Sequence, residues 1–314
     1  MHPPIEPFAS GMLARPGGAE LYWECSGNAH GRPAVYLHGG PGGSLGKGGY
    51  RRRFDPAKHL IVGVDQRGTG RSTPWAIDDL DSLDTNTTQT LIADIDALRE
   101  HLGIEVWLLH GVSWGSTLAL AYALAHPARV TEIVLTAVTT GGRDEITWIT
   151  ETVGAIFPEA WDALSRDVPT GRRVVDHYAQ LLRDADPAVR SGAADRWDAW
   201  ESAHISLDPS WRPGDRHADP RIRQNFATLV THYWSNDCFL TGADTVLARA
   251  PRLAPIPGVL VHGRLDVSGP AVIPWRLHRA WEGSRLRIVD TEGHGGAIEM
   301  ELTAQAIDEF AAAR

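Results

Sequence analysis

The sequence predicts an α/β fold with a mostly parallel central sheet, helices on both faces and an inserted helical cap. Three observations support this prediction. Short apolar runs rich in β-branched residues alternate with segments of helical periodicity, the alternation is interrupted in the middle of the chain, and it resumes near residue 259. Strands of a parallel sheet are covered on both faces, so they occur in sequence as continuous apolar runs.

Six runs are predicted to be the strands of this sheet. They lie at 34–37, 60–64, 106–109, 133–135, 259–261 and 286–289. Each run ends in a turn that contains Gly, Asp or His. Because open sheets of this kind bind ligands beyond the carboxyl ends of their strands, we expect a site among these turns.

The segments between the strands include two predicted helices and one long insertion. Residues 88–102 and 116–126 have helical spacing of their apolar side chains. From 141 to 240, strand-like runs are absent and tryptophans accumulate. These tryptophans are Trp148, Trp161, Trp197, Trp200, Trp211 and Trp234. We therefore predict a helical cap at 141–240, inserted between two parts of the core at 1–140 and 241–314.

The composition argues against several kinds of partner. The chain has 314 residues, 43% of them hydrophobic, and a formal net charge of -9, with no basic tract that would favour nucleic acid. It contains neither a membrane-length apolar stretch nor a signal-peptide pattern, so we expect a cytoplasmic location without membrane contact. Cys25 and Cys238 are predicted to be buried free thiols, although the sequence leaves a disulfide between them open. It does not indicate the oligomeric state.

A candidate nucleophile lies in the segment Gly111-Val112-Ser113-Trp114-Gly115. This G-x-S-x-G pattern follows a predicted strand and precedes an alanine-rich helix, which is the setting of a nucleophile elbow. Glycines are needed there because the turn is tight and projects the serine hydroxyl toward a substrate. The alternative is a serine that merely caps a helix after an ordinary turn.

A nucleophilic serine needs a base and an orienting carboxylate, and both follow at later strand ends. Asp266 lies in the turn after the predicted strand 259–261, and His294 lies between glycines after the strand 286–289. The chain order of serine, acid and histidine is the one this kind of sheet uses. We therefore predict Ser113, Asp266 and His294 as a catalytic triad.

Other titratable residues near the strand ends compete for these roles. His110 and His262 adjoin strands but lack the loop position that a base requires. Asp290 and Glu292 are rival acids, yet they lie so close before His294 that they are poorly placed to reach the far nitrogen of its ring.

An oxyanion hole is predicted from two backbone amides. One is that of Trp114, directly after the nucleophile, and the other is that of Gly40 in the loop His38-Gly39-Gly40-Pro41-Gly42-Gly43. A phosphate-binding loop is the alternative, but no Lys-Ser/Thr follows and no GxGxxG pattern is present. This acyl-transfer chemistry requires no metal or organic cofactor.

These segments together resemble the proline iminopeptidases, which are serine aminopeptidases of the α/β-hydrolase fold. The similarity covers residues 21–24, 38–43, 52–56, 65–72, 86–88, 113–123, 263–266 and 293–294. The HGGPGG and DQRGTGRS runs are the most specific of these segments. The resemblance implies release of an N-terminal proline from a small peptide or amide.

The resemblance also implies substrate-binding residues in the cap. Trp197-Asp198-Ala199-Trp200-Glu201 is similar to a WxxWE segment whose glutamate contacts the substrate amine, a role that passes to Glu201; a solvated helix carboxylate is the alternative. Val230 stands where the family has a second amine-binding glutamate, and Thr139 stands where it has a pocket aromatic. Trp234 replaces a phenylalanine and still supplies an aromatic wall.

Two further functions stay open at this point. Val230 and Thr139 favour a related amide or ester hydrolase that acts on a less cationic small molecule. A noncatalytic ligand-binding protein on the same fold is the second alternative, because a fold alone does not determine function.

Overall fold

A computed structural model describes residues 1–205 and 218–312, so that Trp211 lies outside the described residues. The described strands form one sheet of eight. They are β1 (Ala9–Ala14), β2 (Glu20–Gly27), β3 (Arg32–Leu37), β4 (His59–Val64), β5 (Trp107–Val112), β6 (Val130–Thr136), β7 (Gly258–Gly263) and β8 (Ser284–Val289). Their order across the sheet is β1-β2-β4-β3-β5-β6-β7-β8. The pairs β1–β2 and β2–β4 are antiparallel, and the other neighbouring pairs are parallel.

The α-helices lie between the strands, after the last strand and within the segment 141–240. They are α1 (Thr88–His101), α2 (Trp114–Ala125), α3 (Arg143–Thr150), α4 (Pro158–Ser165), α5 (Val174–Leu181), α6 (Pro187–His204), α7 (Pro220–Ser235), α8 (Val246–Arg249), α9 (Val272–Ala280) and α10 (Ala297–Ala312). No helix among these described residues is both long and apolar enough to cross a membrane.

The two faces of the sheet carry two separate hydrophobic clusters. In β3, Val35 and Leu37 pack into the cluster that contains α2, whereas Ala34 and Tyr36 pack into the cluster that contains Ile307 of α10. Side chains alternate between the faces of a strand, so a strand covered on both sides must be apolar at every position. This explains why the strands of the parallel part were recognisable as continuous runs, and it confirms the predicted α/β class.

The predicted strands all fall on β3 to β8, and the two predicted helices fall on α1 and α2. The sequence prediction did not include β1 and β2. These strands lie at one edge of the sheet, and β1 alternates between half-buried and exposed side chains. Its residues, Ala-Ser-Gly-Met-Leu-Ala, include no β-branched side chain, so neither composition nor an apolar run marks it as a strand.

The described part of 141–240 contains α3 to α7 and no β-strand. Trp197 and Trp200 of α6 are fully buried. The ring of Trp197 lies 6.0 Å from that of Trp234, and the ring of Trp200 lies 5.7 Å from that of Trp161. The aromatic side chains therefore form the packing contacts between these helices. Cys25 and Cys238 are both buried, and both are free thiols.

Candidate active site

Ser113 occupies a sharp turn between the end of β5 and the start of α2. Its backbone has φ 55° and ψ -124°, a left-handed conformation that a residue with a side chain seldom adopts. The amide of Ser113 donates to the carbonyl oxygen of Thr136 at the end of β6, which anchors the turn to the sheet. The hydroxyl therefore stands beyond the carboxyl ends of the strands, where a site was expected.

The two glycines of the turn leave no room for side chains. A Cβ built on Gly111 would lie 2.2 Å from the carbonyl oxygen of Gly115, and a Cβ built on Gly115 would lie 2.0 Å from the carbonyl oxygen of Leu37. Both clashes are with backbone, which cannot move aside as the end of a flexible side chain can. The G-x-S-x-G pattern thus reflects close approach of β3, β5 and α2.

The structure brings Ser113, His294 and Asp266 into one hydrogen-bonded chain. The Nε2 atom of His294 lies 3.0 Å from the Ser113 hydroxyl oxygen, and its Nδ1 atom lies 2.7 Å from Oδ2 of Asp266. The other oxygen of Asp266 accepts a hydrogen bond of 3.0 Å from the amide of Gly269. Serine, imidazole and carboxylate thus have the mutual arrangement that activates a hydroxyl nucleophile.

The charges of this chain stabilise each other. Burial lowers the pKa of His294, but the adjacent Asp266 carboxylate outweighs it, so the pKa lies above its usual value. Burial likewise opposes ionisation of Asp266, but His294 and the Gly269 amide hold its pKa below the usual value. An ionised Asp266 fixes the imidazole so that Nδ1 carries a proton and Nε2 faces the serine as an acceptor.

The two competing histidines are occupied by backbone bonds. The Nδ1 atom of His262 accepts from the amide of Val138 at 3.0 Å, and its Nε2 donates to the carbonyl oxygen of Gly269 at 2.7 Å. His110 donates from Nδ1 to the carbonyl oxygen of Val134, and burial lowers its pKa to about 3. Both rings are neutral supports of the strand ends.

The two rival acids also have other partners. Asp290 is paired with Arg264 at 3.0 Å on the surface. The Glu292 carboxylate accepts from the amides of Ile298 and Glu299, each at 2.8 Å, at the start of α10. Amides in the first turn of a helix lack partners within the helix, so Glu292 satisfies two of them. Its negative charge also interacts favourably with the positive end of the helix dipole.

The glycine-rich loop after β3 runs directly beside the nucleophile. A Cβ built on Gly39 would lie 3.2 Å from the Cβ of Ser113. Gly40 has φ 127°, and a Cβ there would lie 2.4 Å from the amide nitrogen of Gly42. Trp114 is the first residue of α2, so its amide belongs to the unpaired first turn of the helix. Gly40 and Trp114 both line the cavity at Ser113.

This cavity has a volume of about 280 Å³ and contains most of the predicted site residues. The predicted residues that line it are Ser113, His294, Gly40, Trp114, Thr139, Glu201 and Trp234. Val230 of α7 is fully buried and is not among the described residues that line the cavity. Much of the remaining wall is apolar, with Ile146, Ile149, Phe226 and Ile273.

Glu201 is held in α6 with its carboxylate against the cavity. Its Oε1 accepts from the indole nitrogen of Trp197, one helical turn earlier, at 2.8 Å, and only 6% of the residue is exposed. Its negative charge contributes to the raised pKa of His294. A buried carboxylate whose charge acts on the imidazole is not a solvated surface group.

Thr139 lines the cavity and also forms hydrogen bonds at the nucleophile turn. Its hydroxyl donates to the carbonyl oxygen of Ser113 at 2.9 Å and lies 2.8 Å from the hydroxyl oxygen of Thr117. The threonine therefore ties the loop after β6 to the nucleophile turn.

Sequence analysis missed Glu145, a second carboxylate in the cavity wall. It lies in the first turn of α3 and accepts from the amides of Thr140 and Gly141 at 2.9 and 3.2 Å, and from the Thr140 hydroxyl. Burial raises its pKa to about 7. In sequence it resembles any acidic residue in the first turn of a helix, so only a view of the loop after β6 could have marked it.

The chain is similar to known proteins over nearly its whole length. Residues 33–299 match the family described as the alpha/beta hydrolase fold. A probable proline iminopeptidase of Streptomyces coelicolor is 48% identical over 99% of this chain and 98% of its own. A proline iminopeptidase of Xylella fastidiosa is 43% identical over 99% of both chains. The crystal structure of a proline iminopeptidase of Mycobacterium smegmatis is 19% identical with a TM-score of 0.66, over 97% of this chain and 99% of that chain, which shows a common fold.

Proposed function

The chain belongs to the proline iminopeptidase family of the α/β-hydrolase fold, and we propose that it removes an N-terminal proline from small peptides or amides with Ser113 as the nucleophile. The observation that carries this proposal is the hydrogen-bonded chain from Ser113 through His294 to Asp266, with distances of 3.0 and 2.7 Å, at the wall of a cavity that also contains Glu201. The nucleophile, its base and a carboxylate for a substrate cation thus meet at one place.

In the first half of the reaction, His294 Nε2 takes the proton of the Ser113 hydroxyl as the serine oxygen attacks the carbonyl carbon of the substrate proline. A C–O bond forms and the carbonyl oxygen becomes negatively charged. The amides of Gly40 and Trp114 donate to this oxygen. The intermediate then breaks its C–N bond, and the leaving amine takes the proton from His294.

In the second half, a water molecule gives a proton to His294 and attacks the acyl ester on Ser113. Proline leaves as the free acid, and the proton on His294 returns to the serine oxygen. Asp266 stays ionised throughout and stabilises the imidazolium formed in each half.

Recognition of a free N-terminal amine requires negative charge in the cavity near the nucleophile, because the amine is one carbon away from the carbonyl that Ser113 attacks. We propose that Glu201 supplies it, because a buried carboxylate stabilises a cation more strongly than a solvated one. Glu145 lies in the same cavity wall on another helix. Its pKa of about 7 leaves it partly ionised near neutral pH, so it adds negative charge to the same wall.

A second candidate is an amide or ester hydrolase for a less cationic small molecule. The observation that favours it is the wall itself, where Thr139 takes the place of an aromatic ring and Ile146, Ile149 and Phe226 present apolar surface. Such a wall would also accept an acyl group without an amine.

The test compares proline p-nitroanilide, other aminoacyl anilides and short acyl esters as substrates of the purified protein. We expect the proline anilide to have the highest kcat/KM, and Ser113→Ala to lose turnover of all of them. Preference for esters with no aminoacyl release would favour the second candidate. Absence of labelling by a fluorophosphonate probe would instead favour a noncatalytic binding protein.

A further inference from the structure

Gln66 is a buried side chain that bridges the two elements of the proposed oxyanion hole. It lies two residues after the end of β4, and only 5% of it is exposed. Its side-chain amide nitrogen donates to the carbonyl oxygen of His38 at 2.9 Å. Its side-chain oxygen accepts from the indole nitrogen of Trp114 at 2.9 Å. One planar amide therefore connects the start of the glycine-rich loop with the first residue of α2.

A third bond secures the same loop. The backbone amide of Gln66 donates to Nε2 of His38 at 3.0 Å, so Nε2 is the acceptor nitrogen of that ring. The other nitrogen, Nδ1, then carries the proton and donates to the carbonyl oxygen of Gly39 at 2.9 Å. Burial lowers the pKa of His38, in accord with a neutral ring. The residues that precede Gly40 are thus held to the end of β4.

The two amides expected to stabilise the oxyanion belong to separate parts of the chain. Gly40 is in the loop after β3, whereas Trp114 starts the helix after β5. Stabilisation of a developing charge depends on donors held in place before the reaction, and an error of about 1 Å can cost about a hundredfold in rate. Pairing of β3 with β5 fixes the strand ends, but the loop and the helix start lie beyond those ends, and Gln66 bonds to both of them.

We propose that Gln66 is a positioning residue that sets the separation between the Gly40 and Trp114 amides. This inference rests on the proposed function, because it assumes that these amides stabilise the oxyanion. Glutamine suits the task because its side chain has a donor and an acceptor on one rigid plane. A carboxylate would lack the donor for His38, and an apolar side chain would lack both groups.

The main variant is Gln66→Met, which keeps a similar length and removes both side-chain hydrogen bonds. With proline p-nitroanilide we expect kcat to fall by about ten- to a hundredfold while KM stays within about twofold. The affinity for prolinal, an aldehyde that forms a tetrahedral adduct with the serine, should fall by the same factor as kcat. The affinity for the product proline should change far less, since proline forms no tetrahedral adduct with the serine.

A second variant, Trp114→Phe, removes only one of the two bonds and keeps the backbone amide. We expect a smaller loss of kcat, at unchanged KM, and a double variant no worse than Gln66→Met alone. It also provides the test if Gln66→Met does not fold. Wild-type kcat in either folded variant, or equal weakening of prolinal and proline, would overturn the inference. Failure of the proposed function shows separately, as a wild-type protein that does not release proline.

Discussion

Oδ2 of the buried Asp266 lies 2.7 Å from Nδ1 of His294, on the side of the ring away from Ser113. This relationship fixes which nitrogen carries the proton. Asp266→Asn would keep the size of the side chain but remove the charge and permit the wrong tautomer. We predict a fall in kcat of roughly a thousandfold or more, with little change in KM. Steady-state kinetics measure this, with circular dichroism as the control for folding, and retention of near wild-type kcat would exclude Asp266 as the orienting acid.

The pH dependence of the reaction should follow His294. The imidazole acts as a base only when neutral, and Asp266 raises its pKa above the usual value. Activity should therefore decline as the pH falls through this raised pKa and reach a plateau above it. A pH profile of kcat/KM measures the acid limb, and a limb below the ordinary histidine range would contradict this assignment.

Recognition of the substrate amine should depend on Glu201. Glu201→Gln removes the charge while its oxygen can still accept from the Trp197 indole, so the fold should persist. We predict that KM for proline p-nitroanilide rises by about tenfold or more. The matched control is an acyl ester without an amine, whose KM should not change. An equal effect on both substrates would show that Glu201 acts on the structure of the cavity and not on the cation.

The stability of the nucleophile turn should depend on Gly115. Gly115→Ala would place its Cβ 2.0 Å from the carbonyl oxygen of Leu37, between two backbone segments. We predict a loss of unfolding free energy of about 3 kcal/mol or more, or an insoluble protein. Gly192→Ala in α6 is the matched control, since a Cβ there has only the Arg196 side chain nearby, at 3.7 Å. This substitution also replaces a flexible residue within a helix by one that favours the helix. Equal stability of the two variants in thermal unfolding would refute this account.

The free energy of unfolding should depend on pH through Glu299, a buried carboxyl in the first turn of α10. Burial and the neighbouring Asp266 raise its pKa to about 8. Between its ordinary pKa and 8, the unfolded chain loses a proton that the folded chain keeps, so stability falls as the pH rises across this window. Glu299→Gln should remove the penalty and gain on the order of a few kcal/mol over wild type at pH 8, but little at pH 4.5. Denaturant unfolding at both pH values measures the difference in unfolding free energy between the variant and wild type. Glu282→Gln, at an exposed position, is the control. If the difference between Glu299→Gln and wild type does not increase with pH, the raised pKa of Glu299 is contradicted.

Much of the fold was predictable because the parallel strands are covered on both faces. That burial gives β3 to β7 continuous apolar runs, which can be recognised in the sequence alone, whereas the edge strand β8 carries Arg285 and Arg287. The edge strand β1 has no such requirement, and it was missed. The candidate catalytic residues were recognisable for a similar reason, since Ser113, Asp266 and His294 each lie in the turn after a strand that the sequence predicts.

The described carboxylates in the helical segment 141–240 follow no strand end that could mark them in the sequence. Glu201 was found by its resemblance to a known segment, whereas Glu145 gave no signal, because its importance depends on the loop that its carboxylate holds. Val230 was assigned to substrate binding by its place in the sequence, but it is fully buried and is not among the described residues that line the cavity.

The sequence by itself determined the positions of the parallel strands along the chain, the tight turn at Ser113 and a candidate nucleophile, acid and base, because each of these depends on local chemistry. Only the tertiary structure decided which oxygen meets which nitrogen, that Gln66 joins two distant loops, and which carboxylates share the cavity. Those relationships depend on distances between residues far apart in the chain, and packing fixes such distances, whereas local residue preference does not.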